Sequence, residues 1–346
     1  MELTDEQRKV YDAVHERITG ETRCTVVAGA AGCGKSFLLT KIAENLPTFA
    51  VMAWTGKATN VLRERGIHHA ATIHSTIYKP IIIKGQLVGF ELRQEDELGC
   101  DGFLVDEGST VSKGLYDDLM SFGLPCIFVG DHKQLEPIDS NFNLMEKPDY
   151  VLETIHRNAG DIARFAEKVS RGDAASGYKS DQVTLIEKKH VTNDLLMEVD
   201  QIICAYNRTR VELNNRVRDT LGFPEEVVEG DRVICLKNRK KLGLFNGMQG
   251  IVQEIDGNRF TLDCDGLTYY QIPFDPNQFG RESAPNSQYM FGPVPFDFAY
   301  ACTAHKFQGS EADKVLVWVQ ECKNWDHRRW AYTGASRAKK HLYWAM

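Results

Sequence analysis

Apolar and polar positions along the chain fall into two rhythms. Short apolar runs bounded by turn residues, Thr25-Val26-Val27-Ala28, Phe49 to Trp54, Phe103-Leu104-Val105 and Cys126-Ile127-Phe128-Val129, predict four buried strands before residue 150. Between them, apolar residues recur at helical spacing. Val10, Val14 and Ile18 form one stripe ending at Gly20, and Phe37, Leu38, Ile42 and Leu46 form another ending before Pro47. Continuous apolar strands joined by helices are the pattern of a parallel sheet covered on both faces, so the predicted fold class is α/β. Thr4 and Gln7 have capping-box spacing at the head of the first helix, which gives Gln7 a structural explanation.

Two segments break the rhythm. Ile81-Ile82-Ile83, the turn Lys84-Gly85-Gln86 and Leu87-Val88-Gly89-Phe90 predict an inserted β-hairpin, too small to fold alone. Alternation restarts near Leu152, with a strand from Gln201 to Ala205 and a polar helix from Arg208 to Leu221. It returns at about Phe296 with strands Val315 to Val319 and His341 to Trp344. In between, Gly230 to Cys235, the turn Asn246-Gly247 and Ile251-Val252 predict a small β-barrel, and residues 274–295, rich in Pro, Asn, Gly and Ser, a long loop. The expected division is residues 1–77 with 98–150 as a first α/β domain, 78–97 as its hairpin, 151–224 with 296–346 as a second α/β domain, and 225–295 as its insert.

Composition narrows the function classes. A chain of 346 residues allows two or three domains, and a net charge of −7 excludes a protein that coats nucleic acid by bulk charge while leaving room for a local basic groove. Nine cysteines without a C-x-x-C pair, many inside apolar runs, read as reduced core residues in a cytosolic compartment. No stretch approaches roughly 18 consecutive apolar residues, and the charged first ten residues are no signal segment, so no membrane association is expected.

The chemistry concentrates at strand ends. Gly29-Ala30-Ala31-Gly32-Cys33-Gly34-Lys35-Ser36 is a complete phosphate loop between a predicted strand and a predicted helix. Its glycines let backbone N–H groups turn inward as an anion nest, Lys35 reaches the β- and γ-phosphates, and the Ser36 hydroxyl can ligate Mg²⁺. Asp106 and Glu107 end the third strand, where the aspartate bonds the metal shell and the glutamate polarises water. Gln134, after the fourth strand, is a candidate γ-phosphate sensor.

In order and content these motifs resemble the superfamily 1 helicases, specifically the RecD/Dda-like group. The phosphate loop is followed by Ala53-Trp54-Thr55-Gly56-Lys57-Ala58, Ala71-Thr72-Ile73-His74-Ser75, Val105-Asp106-Glu107, and Val129-Gly130-Asp131-His132-Lys133-Gln134-Leu135. Leu152-Glu153-Thr154-Ile155-His156-Arg157, Thr303-Ala304-His305-Lys306-Phe307-Gln308-Gly309-Ser310-Glu311 and Tyr332-Thr333-Gly334-Ala335-Ser336-Arg337-Ala338 complete the series. The resemblance implies two RecA-like P-loop domains, a pin at the hairpin and an SH3-like fold for the second insert. It also implies ATP and Mg²⁺ in the cleft. Gln7 would read adenine, the loop with Phe37, Gly309 and Glu311 would complete the nucleotide site, and Arg157 and Arg337 would reach the γ-phosphate. Thr55, Gly56, Lys57, Thr72 and His74, opposite Thr303, His305 and Lys306, would track a single strand without reading sequence. Trp54, Phe307, Tyr289 and Phe291 are candidate base-stacking residues, although aromatics of this kind are also core material, and His74 and His305 also suit packing roles.

Gly108, Phe307 and Glu136 depart from the family's usual residues without touching a catalytic group. The implied function is an ATP-dependent DNA helicase moving 5′→3′ and opening forked duplex, monomeric, in a bacterial or phage-infected host cytoplasm. With no domain expected before Thr4, the compact form points to replication or recombination, with a single-strand-binding protein or another such factor as expected partner. An RNA helicase, a DNA-stimulated ATPase that does not unwind, and a binding module that has lost hydrolysis are the rivals. The intact Lys35, Asp106, Glu107, Gln134 and Arg337 weigh against the last.

Overall fold

The computed structural model describes all residues except 1, 21, 55, 84–85, 137–141, 155–159, 238, 240–241, 245, 265, 284–291 and 323–325; the side chains of 57, 80 and 82–89 are also outside the described set. In chain order the first half runs α1 (Asp5–Thr19), β1 (Cys24–Gly29), α2 (Lys35–Asn45), β2 (Phe49–Ala53), α3 (Gly56–Glu64), β3 (Ala71–Thr72), α4 (Ile73–Ile77), β4 (Tyr78–Ile83), β5 (Gln86–Leu92), β6 (Gly102–Val105), α5 (Lys113–Ser121), β7 (Cys126–Gly130) and β8 (Tyr150–Leu152). Six of its strands form a sheet in the order β3-β2-β6-β7-β1-β8, parallel at every pairing.

Successive residues of β1 serve opposite faces, as the strand's two-residue period requires. Val27 packs with Leu38, Leu39 and Ile42 of α2, whereas Val26 and Ala28 pack with Phe103, Phe128 and Leu119 on the α5 side. The capping box forms, with the Gln7 N–H donating to Thr4 Oγ1 and the Thr4 N–H to Gln7 Oε1.

The second half runs α6 (Gly160–Ser170), β9 (Val183–Ile186), α7 (Asn193–Glu198), β10 (Gln201–Cys204), α8 (Asn207–Leu221), β11 (Arg232–Cys235), β12 (Gln249–Asp256), β13 (Arg259–Cys264), β14 (Leu267–Pro273), β15 (Phe296–Phe298), β16 (Ala301–Thr303), β17 (Ala312–Trp318), α9 (His327–Ala335) and β18 (Ala338–Ala345). A second parallel sheet has the order β16-β10-β17-β18-β9. An antiparallel sheet, β14-β13-β12-β11-β15, branches from it.

Three differences from the sequence expectation have local causes. β15 pairs with β11, so the antiparallel sheet reaches past residue 295; Phe296 and Phe298 pack edge-on or tilted against Phe260 and Phe279. The short edge strands β3, β8 and β9 carry too few residues to announce themselves by periodicity. The hairpin strands start at Tyr78 and end at Leu92, pairing from Tyr78↔Leu92 to Ile83↔Gln86, while the expected turn at 84–85 lies outside the described residues.

Helix α8 fastens the antiparallel sheet to the second parallel sheet. Arg218 lies 2.9 Å from Asp231 Oδ1 and stacks 3.8 Å over the Phe298 ring, and Arg210 pairs with Asp297. Asn214 donates to the Phe298 and Ala301 carbonyls and accepts the Ala301 N–H. Among the described residues no helix is long and apolar enough to cross a membrane.

Candidate functional site

The carboxyl ends of β1, β6 and β7 are neighbours in the first sheet, and β1 leaves through α2 to the non-adjacent β2, so a crevice opens where ligands enter α/β sheets. Gly29 ends β1 and Lys35 begins α2. Gly32 and Gly34 take φ of 81° and 82°, the left-handed values that let the intervening backbone turn inward. A Cβ on Gly29 would lie 2.4 Å from Cys33 Sγ and 3.2 Å from Lys35 Cγ, so the loop closes on itself only with glycine there. Ala30, Ala31, Cys33 and Ser36 complete the turn, and Phe37 follows in α2's first turn with the Lys41 ammonium 5.8 Å from its ring centre.

Lys35 Nζ donates to the carbonyls of Gly29 (2.7 Å) and Ala30 (2.9 Å) and lies 3.4 Å from Asp131 Oδ2. Burial would lower its pKa, but Asp131, Cys33, Glu107 and Asp106 together outweigh that and hold the ammonium above its ordinary range. Gln7 is buried at the loop's outer side, its Nε2 donating to the Cys33 carbonyl at 3.4 Å; its capping bond and this contact bind α1 to the loop.

Asp106 and Glu107 follow β6, half-buried in the crevice. Asp106 Oδ1 accepts the Glu107 N–H at 2.9 Å, and Glu107 itself adopts φ 55°, ψ 42°, left-handed backbone for a non-glycine residue. Burial pushes the Glu107 carboxyl up to about 7, Arg337 opposing the rise and Asp106 adding to it. Asp106 is raised by burial too, against the Glu107 N–H and the Arg65 and Lys35 charges, while Glu311 raises both carboxyls. Gly108 has a packing reason: a Cβ there would meet Met145 Cε at 2.9 Å.

Gln134 is buried, and its Oε1 has no hydrogen-bond partner among the described residues. A buried acceptor left open is available to a donor that the chain itself does not supply.

The second sheet supplies the opposite wall. Arg337, 2% exposed, donates to the Thr333 carbonyl (3.2 Å), the Ser310 carbonyl (3.4 Å) and Ser336 Oγ (3.2 Å), and its charge reaches Glu107. Gly309, at φ 70°, turns the chain between Lys306 and Glu311. The segment after β7 carries the contact between the walls. The Leu135 N–H donates to Thr333 Oγ1 (2.9 Å), Gln308 Nε2 donates to the Leu135 carbonyl (2.5 Å), and Lys133 pairs with Glu167 of α6 (2.6 Å). Tyr332 of α9 donates to Asp131 Oδ2 (2.5 Å) and accepts the Ala31 N–H (2.6 Å). Arg65, Asp131 and Tyr332 were not singled out from the sequence. Asp131 and Tyr332 lie inside recognised motifs, but only the fold brings them together, and Arg65 carries no local signal. Arg157 lies outside the described residues.

Of the candidate strand-tracking residues, Gly56 follows β2, Thr72 and His74 lie at the end of β3, and Thr303, His305 and Lys306 lie at the end of β16, β3 and β16 being the edge strands of the two parallel sheets. Thr72 caps α4, its Oγ1 accepting the Ser75 N–H at 3.2 Å, and the His74 ring stands between Trp54 (5.1 Å) and Tyr78 (5.4 Å, 28° between planes). Gly56 opens α3 at the surface. Thr55, the Lys57 side chain, Tyr289 and Phe291 lie outside the described residues. On the other side Thr303 precedes a helical turn over Ala304–Phe307, burial lowers the His305 pKa and leaves its imidazole neutral at pH 7, and Lys306 Nζ donates to Asn246 Oδ1 at 2.6 Å. Arg210 and Arg281 share a small cavity with Lys306. Phe307, 2% exposed, is a core residue, not a surface on which a base could stack.

Residues 2–190 match the protein family described as an AAA domain, and residues 298–344 match a UvrD-like helicase C-terminal domain. The chain is 26% identical over 378 residues to the ATP-dependent RecD2 DNA helicase of Deinococcus radiodurans, covering 99% of itself and 48% of that protein. It is 27% identical to the conjugal transfer protein TraA of Rhizobium radiobacter, covering 91% of itself and 30% of that protein. It thus spans about half the length, or less, of these curated relatives. Among solved structures, Bacteroides Pif1 bound to single-stranded DNA superposes with a TM-score of 0.60 at 19% identity, covering 100% of this chain and 92% of that one, a likeness of fold.

Proposed function

Because the chain belongs to the AAA domain family over residues 2–190, we propose that it is an ATP-dependent DNA helicase that moves 5′→3′ along single strands and separates forked duplex. The observation that carries the reading is one cleft with chemistry on both walls. Lys35, Asp106 and Glu107 stand on the first sheet, and the buried Arg337 on the second is close enough to oppose the elevation of Glu107. Relatives named as a RecD2 DNA helicase and Pif1 helicases on forked duplex support the substrate class.

Each residue's part follows from its placement. Lys35 leaves the loop carbonyls to hold the β- and γ-phosphates, Gly29 to Ser36 supply the amide nest, and Gln7 supports the loop beside the base. Ser36 and Asp106, hard oxygen donors at the loop and the β6 end, suit Mg²⁺, which when bound neutralises charge on the transferring phosphoryl group. Glu107 as carboxylate orients the attacking water, and the open Gln134 Oε1 is poised to contact that water. Arg337, and Arg157 with it, stabilise the transition state, an effect worth about 10³–10⁵ in rate for comparable arginines. Closure and reopening of the cleft then shift Thr55, Gly56, Lys57, Thr72 and His74 relative to Thr303, His305 and Lys306. The hairpin is read as the strand-separating pin, the antiparallel sheet as an SH3-like insert, and the domains as 1–77 with 98–150 and 151–224 with 296–346 around them. A monomer in the cytoplasm, with a single-strand-binding protein as partner, completes the proposal.

Unwinding of forks with a 5′ tail, a 3′ tail or an RNA strand, with Lys35→Ala as control, tests it. Opening of the 5′-tailed DNA fork alone, abolished by Lys35→Ala, is expected. DNA-stimulated hydrolysis without strand separation would overturn the helicase reading in favour of a motor, and opening from the 3′ tail would overturn the polarity.

A further inference from the structure

Tyr332 reaches from α9 of the second sheet onto the phosphate loop of the first. Fully buried, its hydroxyl accepts the Ala31 N–H at 2.6 Å and donates to Asp131 Oδ2 at 2.5 Å. The same carboxylate oxygen lies 3.4 Å from Lys35 Nζ, whose remaining contacts are the loop's own Gly29 and Ala30 carbonyls. An amide of the anion nest is therefore filled by a phenol oxygen, and the loop's lysine is held by protein oxygens. Each of these bonds competes with a phosphate. A phosphate oxygen is charged and the phenol oxygen is not, so the phosphate is the stronger acceptor for the Ala31 N–H, while for Lys35 it competes with two neutral carbonyls and one carboxylate 3.4 Å away.

We infer that Tyr332 is a positioning residue that senses occupancy of the loop: its hydroxyl ties α9 of the second wall to Ala31 and Asp131 of the first while the loop is empty, and a bound triphosphate displaces it. The inference rests on the proposed ATP site. Released from the loop, α9 shifts with Tyr332, and Arg337, two residues beyond the helix, shifts with it. Loop filling is thereby passed to the residue proposed to act on the γ-phosphate. Because the empty-state contact opposes binding, linkage requires that deleting it tighten the nucleotide.

Titration of Mg²⁺·AMP-PNP into Tyr332→Phe by calorimetry tests this. One net hydrogen bond corresponds to about a two- to tenfold fall in Kd, the expected result. A merely structural tyrosine predicts the opposite sign, since loss of packing weakens a site. Thr333→Val, which removes the Leu135 N–H contact of the same helix without touching the loop, is expected to leave Kd unchanged. Unchanged or weaker binding by Tyr332→Phe, or equal tightening by Thr333→Val, overturns the inference. Should melting show Tyr332→Phe unfolded, hydrogen exchange of the wild type decides instead: protection over His327–Ala335 is expected to change when Mg²⁺·AMP-PNP binds, and unchanged protection overturns the inference. Lys35→Ala separates the two levels: if it binds AMP-PNP as wild type does, the nucleotide site itself is wrong, and if it alone loses binding, only the sensor fails.

Discussion

Glu107 combines left-handed backbone at φ 55° with a carboxyl raised to about 7 by burial. Strain of this kind costs about 1–3 kcal/mol and persists only where the surroundings impose it. Here β6 ends and the 3₁₀ turn Gly108–Thr110 begins, with the Asp106 carboxylate holding the Glu107 N–H. The raised carboxyl has a consequence for stability. In the unfolded chain Glu107 ionises near the ordinary 4.5, whereas the nucleotide-free fold keeps it protonated to about 7. Between those values the folded state binds the extra proton, so its contribution to stability, complete below the lower value, is lost as pH rises through the upper one. Glu107→Gln keeps the neutral shape at every pH. Thermal melts of the nucleotide-free variant are expected to exceed wild type at pH 8 and to coincide with it below about pH 5. Equal gains at both pH values would assign the effect to something other than ionisation.

At the scale of elements, α8 decides whether the antiparallel sheet moves with the second parallel sheet or independently of it. Arg218 places its guanidinium between Asp231 (2.9 and 3.0 Å), the Glu225 and Glu226 carbonyls (3.1 and 2.6 Å) and the Phe298 ring, and the Tyr300 hydroxyl donates to the same aspartate at 3.1 Å. With Asp231 fully buried, truncating the arginine strands a charge, a loss of about 3–5 kcal/mol. Arg218→Met is therefore expected to lower the denaturation free energy by that amount, measured by urea unfolding. The pair Arg218→Met with Asp231→Leu should recover the part of the loss that comes from the stranded charge, although the Glu225 and Glu226 carbonyls, the Tyr300 hydroxyl and the Val228 N–H still lose their partners. Failure of the double variant to recover would mean that the carbonyl contacts, not the ion pair, carry the loss.

For the whole molecule, net charge of −7 and a proposed single-strand track coexist because the described candidate contacts are confined to the carboxyl ends of β2, β3 and β16. About four to six phosphate contacts give a slope of log K against log salt of roughly −3 to −4 for a single strand. Measuring oligothymidine affinity between low and moderate salt checks it; a flat line would remove the track. The Leu135–Thr333, Gln308–Leu135 and Lys133–Glu167 contacts join the segment after β7 to the second half of the chain.

Periodicity and local motifs determined the parallel-sheet class, the capping box at Thr4, the phosphate loop and the acidic pair, because each depends on residues within a few positions of one another. Burial runs such as Val26 to Ala28 or Phe103 to Val105 state their environment in their own composition. What the tertiary structure alone decided depends on residues far apart in sequence. Residues from about Phe296 read as a return to the second α/β domain, yet the Phe296 and Phe298 rings find Phe260 and Phe279, and β15 joins β11. Phe307 looks like a stacking aromatic until the core closes over it. Tyr332 lies 301 positions from Ala31, and no local pattern could have told that its hydroxyl would rest on the amide where a phosphate is proposed to bind. Local spacing specifies which chemistry a segment carries, whereas the packing of the two sheets against each other determines which residues of one complete the site of the other.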